Sequence, residues 1–246
     1  MTASGSWLCP IVRRADLTPG RGSSPPIQQI VLAAPAGFHF AAGQYLEVLH
    51  PEGPIPLSIA SSPTRLPELE LHYRATPGIP AAAWMDELLA SGAPLAIRGP
   101  SGDVVAPIAP ERSLLLIAGG TGITQALAII EAVADQSRRP QVRLLWCADH
   151  ADDFYCRDRL AALADDWLEI DYCADARRGP DNAGLAHART AAQALPDAWI
   201  MLGGSPAFVF AMDDALATVT AAPRHADAFA WAPRPDTARP EGHLSG

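Results

Sequence analysis

The second half of the chain limits the choice of fold most. Four largely apolar runs, "LLLIA" (114–118), "VRLLWCA" (142–148), "LEIDYC" (168–173) and "AWIMLG" (198–203), are each long enough for one strand buried on both faces. Helical apolar periods lie between and after them, at Ile123–Ala134, Arg157–Ala164, Leu185–Leu195 and Pro206–Val219. Strands alternating with helices predict a doubly wound α/β sheet whose strands are mainly parallel.

The first hundred residues read differently. "IQQIVLA" (27–33), "QYLEVLH" (44–50) and "LELHYRA" (69–75) are short strand patterns separated by glycines and prolines. The last alternates, with Leu69, Leu71 and Tyr73 on one face and Glu70, His72 and Arg74 on the other. Short strands at this spacing predict a small antiparallel β-barrel, with one helix from about Ala81 to Ala90 that stops at Gly92. The expected division is therefore 1–110 for the barrel and 111–233 for the α/β domain, the boundary lying in the Pro-rich "VVAPIAPER". Residues 234–246 read as a polar, Pro-rich, disordered tail.

Composition removes several function classes. The net charge of −9 is unsuited to nucleic acid, which needs a basic face. All 18 basic residues are arginine, so no lysine is present for a Schiff base or a Walker-type phosphate loop. No apolar run approaches the length of a membrane span, and "MTASGSWLCPIVRR" has no signal-peptide core. Cys9, Cys147, Cys156 and Cys173 are scattered without a metal or cluster spacing, and no metal is expected. These features suit a reducing cytoplasm.

The chemistry-bearing stretch is Gly119-Gly120-Thr121-Gly122, where the first α/β strand runs into a helix. A helix N-terminus attracts anions, glycines let a phosphate approach the backbone, and Thr121 adds a hydroxyl donor. The same four residues also suit a plain tight turn. A second strand end, Gly203-Gly204-Ser205-Pro206, repeats the arrangement, with Ser205 suited to the N-cap and Pro206 to the first helical turn.

Six segments in order, "FHFAAGQYLEV", "IPLSIASSP", "LLLIAGGTGI", "DDFYCRDRLAAL", "LGGSPAFVFAMDDAL" and "DAFAWAP", resemble the ferredoxin–NADP reductase superfamily, and most closely its NAD(P)H:flavin oxidoreductase branch. The resemblance spans about Trp7 to Pro233. It implies a flavin-binding barrel followed by a nicotinamide-binding domain. Carried over, Pro56, Leu57, Ser58 and Ile59 face the flavin ring. The Ser58 hydroxyl is the catalytic candidate, and backbone groups of Leu57 and Ile59 hold the polar edge. His72 and Arg74 lie beside them. Gly119, Gly120, Thr121, Gly122 and Ile123, with Gly203, Gly204, Ser205 and Pro206, take the dinucleotide. Phe229 and Trp231, on a terminal strand, cover the flavin face.

Four departures bear on the subtype. Ile55 stands where the family's flavin motif usually has an arginine for the flavin phosphate, and "PGIPAAAW" replaces its second phosphate-binding element. Both favour a loosely held flavin (FMN, FAD or riboflavin), although Arg65 or Arg74 could compensate. Asp149 stands where relatives grip the 2′-phosphate of NADPH, which favours NADH. Arg177 and Arg178 are the alternative grip. Gln125 replaces a common proline, with no consequence legible in the sequence. The resemblance thus implies a flavin reductase that supplies reduced flavin or electrons to an oxygenase or other acceptor. A subunit with tightly bound FAD serving a redox protein, and a non-catalytic nucleotide-binding relative, are the alternatives. The oligomeric state is not legible.

Overall fold

The computed structural model describes residues 5–19, 25–174 and 182–234. The expected tail falls almost wholly outside these residues, as do Arg177 and Arg178.

The N-terminal strands form two antiparallel sheets. The first has the order β1 (Gly5–Cys9), β7 (Leu95–Ser101), β4 (Tyr45–Val48), β5 (Ile55–Ser58). The second has the order β2 (Ile11–Asp16), β3 (Ile27–Ala33), β6 (Glu68–Arg74). Pro10, which has no N–H to give a ladder, marks where the chain passes from one sheet to the other. A bridge between Ile59 and Leu71 joins the sheets at the end of β5. Ile30, Leu32, Leu46, Val48, Leu69, Leu71 and Ile97 fill the space between them. Helix α1 (Pro80–Ser91) buries Met85 and Leu89 and ends at Gly92, whose φ of 68° closes the helix in the left-handed region.

The C-terminal unit is a five-stranded parallel sheet. Its order is β10 (Leu168–Cys173), β9 (Val142–Cys147), β8 (Leu114–Gly119), β11 (Trp199–Gly203), β12 (Arg224–His225). Helices α2 (Ile123–Ala134) and α3 (Arg157–Leu163) cover one face; α4 (Ala183–Ala194) and α5 (Pro206–Ala217) cover the other. Successive residues of β8 enter opposite cores: Leu114, Leu116 and Ala118 meet α2, while Leu115 and Ile117 meet α4 and α5. That is why "LLLIA" has no polar position. From β8 the chain continues to β9 on one side and reaches β11 on the other, so the strand order reverses between β8 and β11. Ligands of open α/β sheets collect at the carboxyl ends of strands at such a point.

Two local expectations are corrected. "QYLEVLH" forms a strand only over Tyr45–Val48, because Gln44 spends its side chain bracing the turn, donating to the Gly102 carbonyl and accepting from the Ala41 N–H. The terminal strand expected at "DAFAW" is a one-turn helix, α6 (Ala228–Trp231), and the strand β12 lies just before it. Its alanines lack the branched side chains that favour strands, and Phe229 N–H closes a turn on the Ala226 carbonyl. The polar face of β6 is not solvated: Glu70 is 1% and His72 5% exposed, because the α/β unit docks on it.

That docking is ionic. Arg159 on α3 donates to Glu131 on α2 (Nε, 2.8 Å), to Glu70 on β6 (Nη1, 2.7 Å) and to the Ala60 carbonyl (3.3 Å). Glu131 accepts the Ser62 N–H, and Asp135 accepts the Ser62 and Thr64 hydroxyls. Burial alone would raise the Glu70 carboxyl, but the His72 hydrogen bond, the Arg159 charge and the Gln29 amide hold it at about 2. Burial depresses His72 despite its bond to Glu70, so the ring is neutral. One tautomer satisfies every partner: Nε2–H donates to Glu70 (2.8 Å), and Nδ1 accepts from the Tyr155 hydroxyl (3.1 Å). Burial holds that hydroxyl protonated.

Candidate active site

The two glycine turns meet backbone to backbone. A Cβ on Gly122 would lie 2.3 Å from the Gly203 carbonyl carbon and 2.4 Å from the Gly204 nitrogen. A Cβ on Gly203 would lie 2.7 Å from the Gly122 oxygen. Gly122 has an ordinary φ of −59°, so contact and not conformation demands glycine there. Gly120 is the reverse case, with φ +54° and open space where a Cβ would be. The Trp146 indole N–H donates to the Gly120 carbonyl at 3.0 Å and fixes the turn.

Two hollows flank the interlocked turns. The first, about 200 Å³, lies between the barrel and the α/β unit. Tyr45, Pro56, Leu57, Ser58 and His72 line it from the barrel; Thr121, Gly122, Thr124, Gln125, Gly203 and Gly204 from the sheet edge; Asp227 and Trp231 from the C-terminal segment. The second, about 400 Å³, lies over Gly119, Gly120, Thr121, Asp149, Ser205 and Phe208, with Arg74 of the barrel and its partner Asp153 of the α/β unit closing one side. Thr121 lines both. Among the described residues, the hydroxyls of Ser58 and Thr121 donate no hydrogen bond, and both residues line the first hollow.

Some residues singled out in the sequence lie elsewhere. The Ile59 side chain is in the barrel core and its N–H donates to the Gln44 carbonyl (3.1 Å), so that N–H is already committed within the barrel. Ile123 is fully buried beneath the glycine turn. Pro206 and Phe229 line neither hollow, and Phe229 packs on Phe210 at 5.7 Å. Both His72 ring nitrogens are committed, so that side chain has no hydrogen bond to offer. Arg65, a possible cation for flavin phosphate, lies within 4 Å of the carboxylates of Glu68, Glu70 and Glu131. Arg74 is paired with Asp153 at 3.3 Å, while its Nε has no partner.

Four polar residues lining the first hollow were not singled out as site residues: Tyr45, Thr124, Gln125 and Asp227. Gln125 was visible as a departure from the family, and Asp227 opens the "DAFAW" segment. Burial pushes the Asp227 carboxyl up to about 6, with Asp103 adding to the rise and a hydrogen bond from Gln125 opposing it. A carboxyl perturbed in this way inside a cleft marks a functional-site candidate. Among the described residues, no group of three or more metal-ligating side chains is assembled, and no helix is long and apolar enough to cross a membrane.

Residues 116–214 match the family described as "Oxidoreductase NAD-binding domain". The chain is 34% identical to an NAD(P)H-flavin reductase of Vibrio harveyi over 150 residues, 58% of this chain and 63% of the relative. The ferredoxin reductase of carbazole 1,9a-dioxygenase superposes with a TM-score of 0.73 at 23% identity, covering 92% of this chain and 70% of that one. In sequence and fold the chain is similar to the ferredoxin–NADP reductase superfamily, near its flavin reductase branch. Also similar is the reductase component of the naphthalene 1,2-dioxygenase/salicylate 5-hydroxylase systems of Ralstonia sp, 30% identical over 82% of this chain and 63% of its own length. The P5 protein of phenol hydroxylase from Acinetobacter pittii is 31% identical over 61% of this chain and 43% of its own. The chain thus spans 43% to 63% of the length of these three curated relatives. The superfamily fold accounts for the two antiparallel sheets, the parallel sheet and the reversal of strand order between β8 and β11.

Proposed function

We propose that this chain is an NADH-dependent flavin reductase acting on a loosely held flavin, which passes electrons to an oxygenase. One observation carries the reading: two hollows share Thr121 beside interlocked glycine turns, at the carboxyl edge of the sheet. A dinucleotide with its phosphates over Gly119–Gly122 can place one end in each hollow, and the hollows together reach the roughly 300–1,000 Å³ typical of ligand sites. Flavin supplies the hydride acceptor and the nicotinamide supplies the hydride. The chain's own contribution is to bind, orient and exclude water. Pro56 and Leu57 form an apolar wall, and Ser58 offers an O–H where negative charge grows. Trp231 shields the mouth of the first hollow.

The start of α1, where the family binds its second flavin phosphate, supports loose binding. Pro80 has no N–H, Ile79 provides no side-chain cap, and the N–H groups of Ala82 and Ala83 both point to the Ile79 carbonyl. With Ile55 nearby in the motif and Arg65 surrounded by carboxylates, little is left to hold the AMP half of FAD. The relatives from oxygenase systems support an oxygenase as the consumer of electrons. They equally suit a tightly bound FAD. Steady-state rates with NADH and NADPH against FMN, FAD and riboflavin, together with the absorbance of the purified protein, test both readings. A colourless protein that turns over free flavin with NADH is expected. A yellow protein that retains stoichiometric FAD through gel filtration would replace this reading with the second.

A further inference from the structure

Gln125 occupies the third position of α2, 4% exposed, and its amide nitrogen has two acceptors. One is the Gly43 carbonyl of the barrel at 2.6 Å, the other the Asp227 carboxylate at 2.8 Å. A carbonyl acceptor can only be met by the nitrogen, so the amide orientation is fixed. Gly43 sits in a close-packed turn. Its φ is 103°, a Cβ there would strike the Val104 carbonyl oxygen at 2.2 Å, and Gln44 ties the same turn to Gly102. One side chain therefore joins the barrel, the helix after the phosphate turn and the C-terminal segment.

The surroundings of Asp227 give that contact its weight. The groups facing it are Gln125 from α2, Tyr45 from β4, and Gly102 and Asp103 from the loop after β7. A Cβ on Gly102 would lie 2.7 Å from its Oδ1. Asp103 and Tyr45 are the titratable members, and neither brings a positive charge. The Gln125 amide is thus what favours the carboxylate against burial and the Asp103 charge.

We propose that Gln125 is a positioning residue: by clamping Asp227 to the barrel turn at Gly43, it sets the protonation state of the cleft in which flavin is reduced. The inference rests on the proposed activity. Charge arriving in the cleft is opposed by an Asp227 carboxylate and relieved by its neutral, donating form. Turnover therefore rises as pH falls through the Asp227 titration, and loss of the Gln125 donors moves that limb upward.

The experiment follows the Asp227 carboxyl by carbon-13 NMR in the protein without added cofactor, beside the pH profile of NADH-driven flavin reduction. Gln125→Met keeps volume and removes both donors, and should raise the titration by about one pH unit, the worth of one hydrogen bond to a charge. Gln125→Glu adds a like charge and should raise it further, and the alkaline limb of turnover, where activity falls as pH rises, should follow in the same order. In an Asp227→Asn background, Gln125→Met should no longer move the profile. An unchanged titration in Gln125→Met and Gln125→Glu, or a pH limb that ignores it, overturns the proposal. A wild-type chain that reduces no flavin refutes the proposed activity, and with it the role in turnover; the titration still decides whether Gln125 governs Asp227.

Discussion

Replacing Gly122 with alanine tests whether the interlock of the two glycine turns sets the geometry of the site. The added methyl would begin 2.3 Å from the Gly203 carbonyl carbon, where ordinary contact starts near 3.4 Å. Both sides are backbone, so the turns must part by about 1 Å, a displacement that elsewhere costs on the order of a hundredfold in rate. Overpacking of this kind costs about 1–3 kcal/mol of stability, or roughly 3–10 °C in Tm for a chain of this size. Gly120→Ala is the matched control. It forces a left-handed φ of +54° on alanine, at about 1–2 kcal/mol, but meets no atom within 4 Å. Both variants should lose comparable stability. Only Gly122→Ala should lose turnover on the order of a hundredfold; Gly120→Ala, whose methyl enters the second hollow, should mainly raise KM for NADH. Circular-dichroism melts and steady-state kinetics with NADH and FMN varied separately read these outcomes. Wild-type turnover in Gly122→Ala, or an equal loss in Gly120→Ala, refutes the reasoning.

The other predictions concern the two hollows and the ionic dock. Ser58→Ala should lower turnover by on the order of a hundredfold while leaving the KM for NADH nearly unchanged, since one donor to developing charge is lost; wild-type turnover would remove Ser58 from the mechanism. Asp149, exposed on the second hollow, should make NADH preferred over NADPH by roughly tenfold through repulsion of the 2′-phosphate, partly screened by solvent. Asp149→Arg should shift that ratio toward NADPH, more at low salt, and an unchanged ratio would place discrimination elsewhere. Glu70 sits at about 2 in the folded chain against an ordinary 4.5, a depressed carboxyl. Its contribution, on the order of 3 kcal/mol, is therefore present above pH 4.5 and lost as pH falls toward 2. Glu70→Gln should flatten stability against pH in that window, measured by urea unfolding, and an unchanged slope would contradict the ionic dock.

Wherever one repeating pattern governs, the fold was readable residue by residue. Helix α2 runs over Ile123–Ala134 and β3 over Ile27–Ala33, as their periods require. In β7, Gly99 and Pro100 interrupt an already short alternation, so no period stands out in "LAIRGPS". Strand order is a property of pairing and not of any one strand, which is why the reversal between β8 and β11 had to come from the structure. The dock between the units escaped for a related reason. It is made of Arg159, Glu131, Glu70, Ser62 and Asp135, and charged residues at surface-like positions look the same in a sequence whether they face water or a second unit. The alternation of β6 placed Leu69, Leu71 and Tyr73 correctly, yet polarity alone could not show that Glu70 and His72 on the other face are buried.

The glycine turn carries the same lesson further. In sequence, Gly119–Gly122 suits a phosphate cradle or a tight structural turn, and composition cannot separate the two. In space the two demands fall on different residues. Gly122 is required by the neighbouring turn, whose backbone fills the space of its Cβ, and Gly119 by the Phe208 ring, 2.8 Å from where a Cβ would be. Gly120 is required by neither neighbour: its Cβ position is open, its φ is left-handed, and it lines the larger hollow. Contact explains two of the three glycines, and a left-handed φ explains Gly120. Gly120 alone of the three leaves its Cβ space open, beside Thr121 on the larger hollow, and under the proposed function that is where a phosphate approaches the backbone.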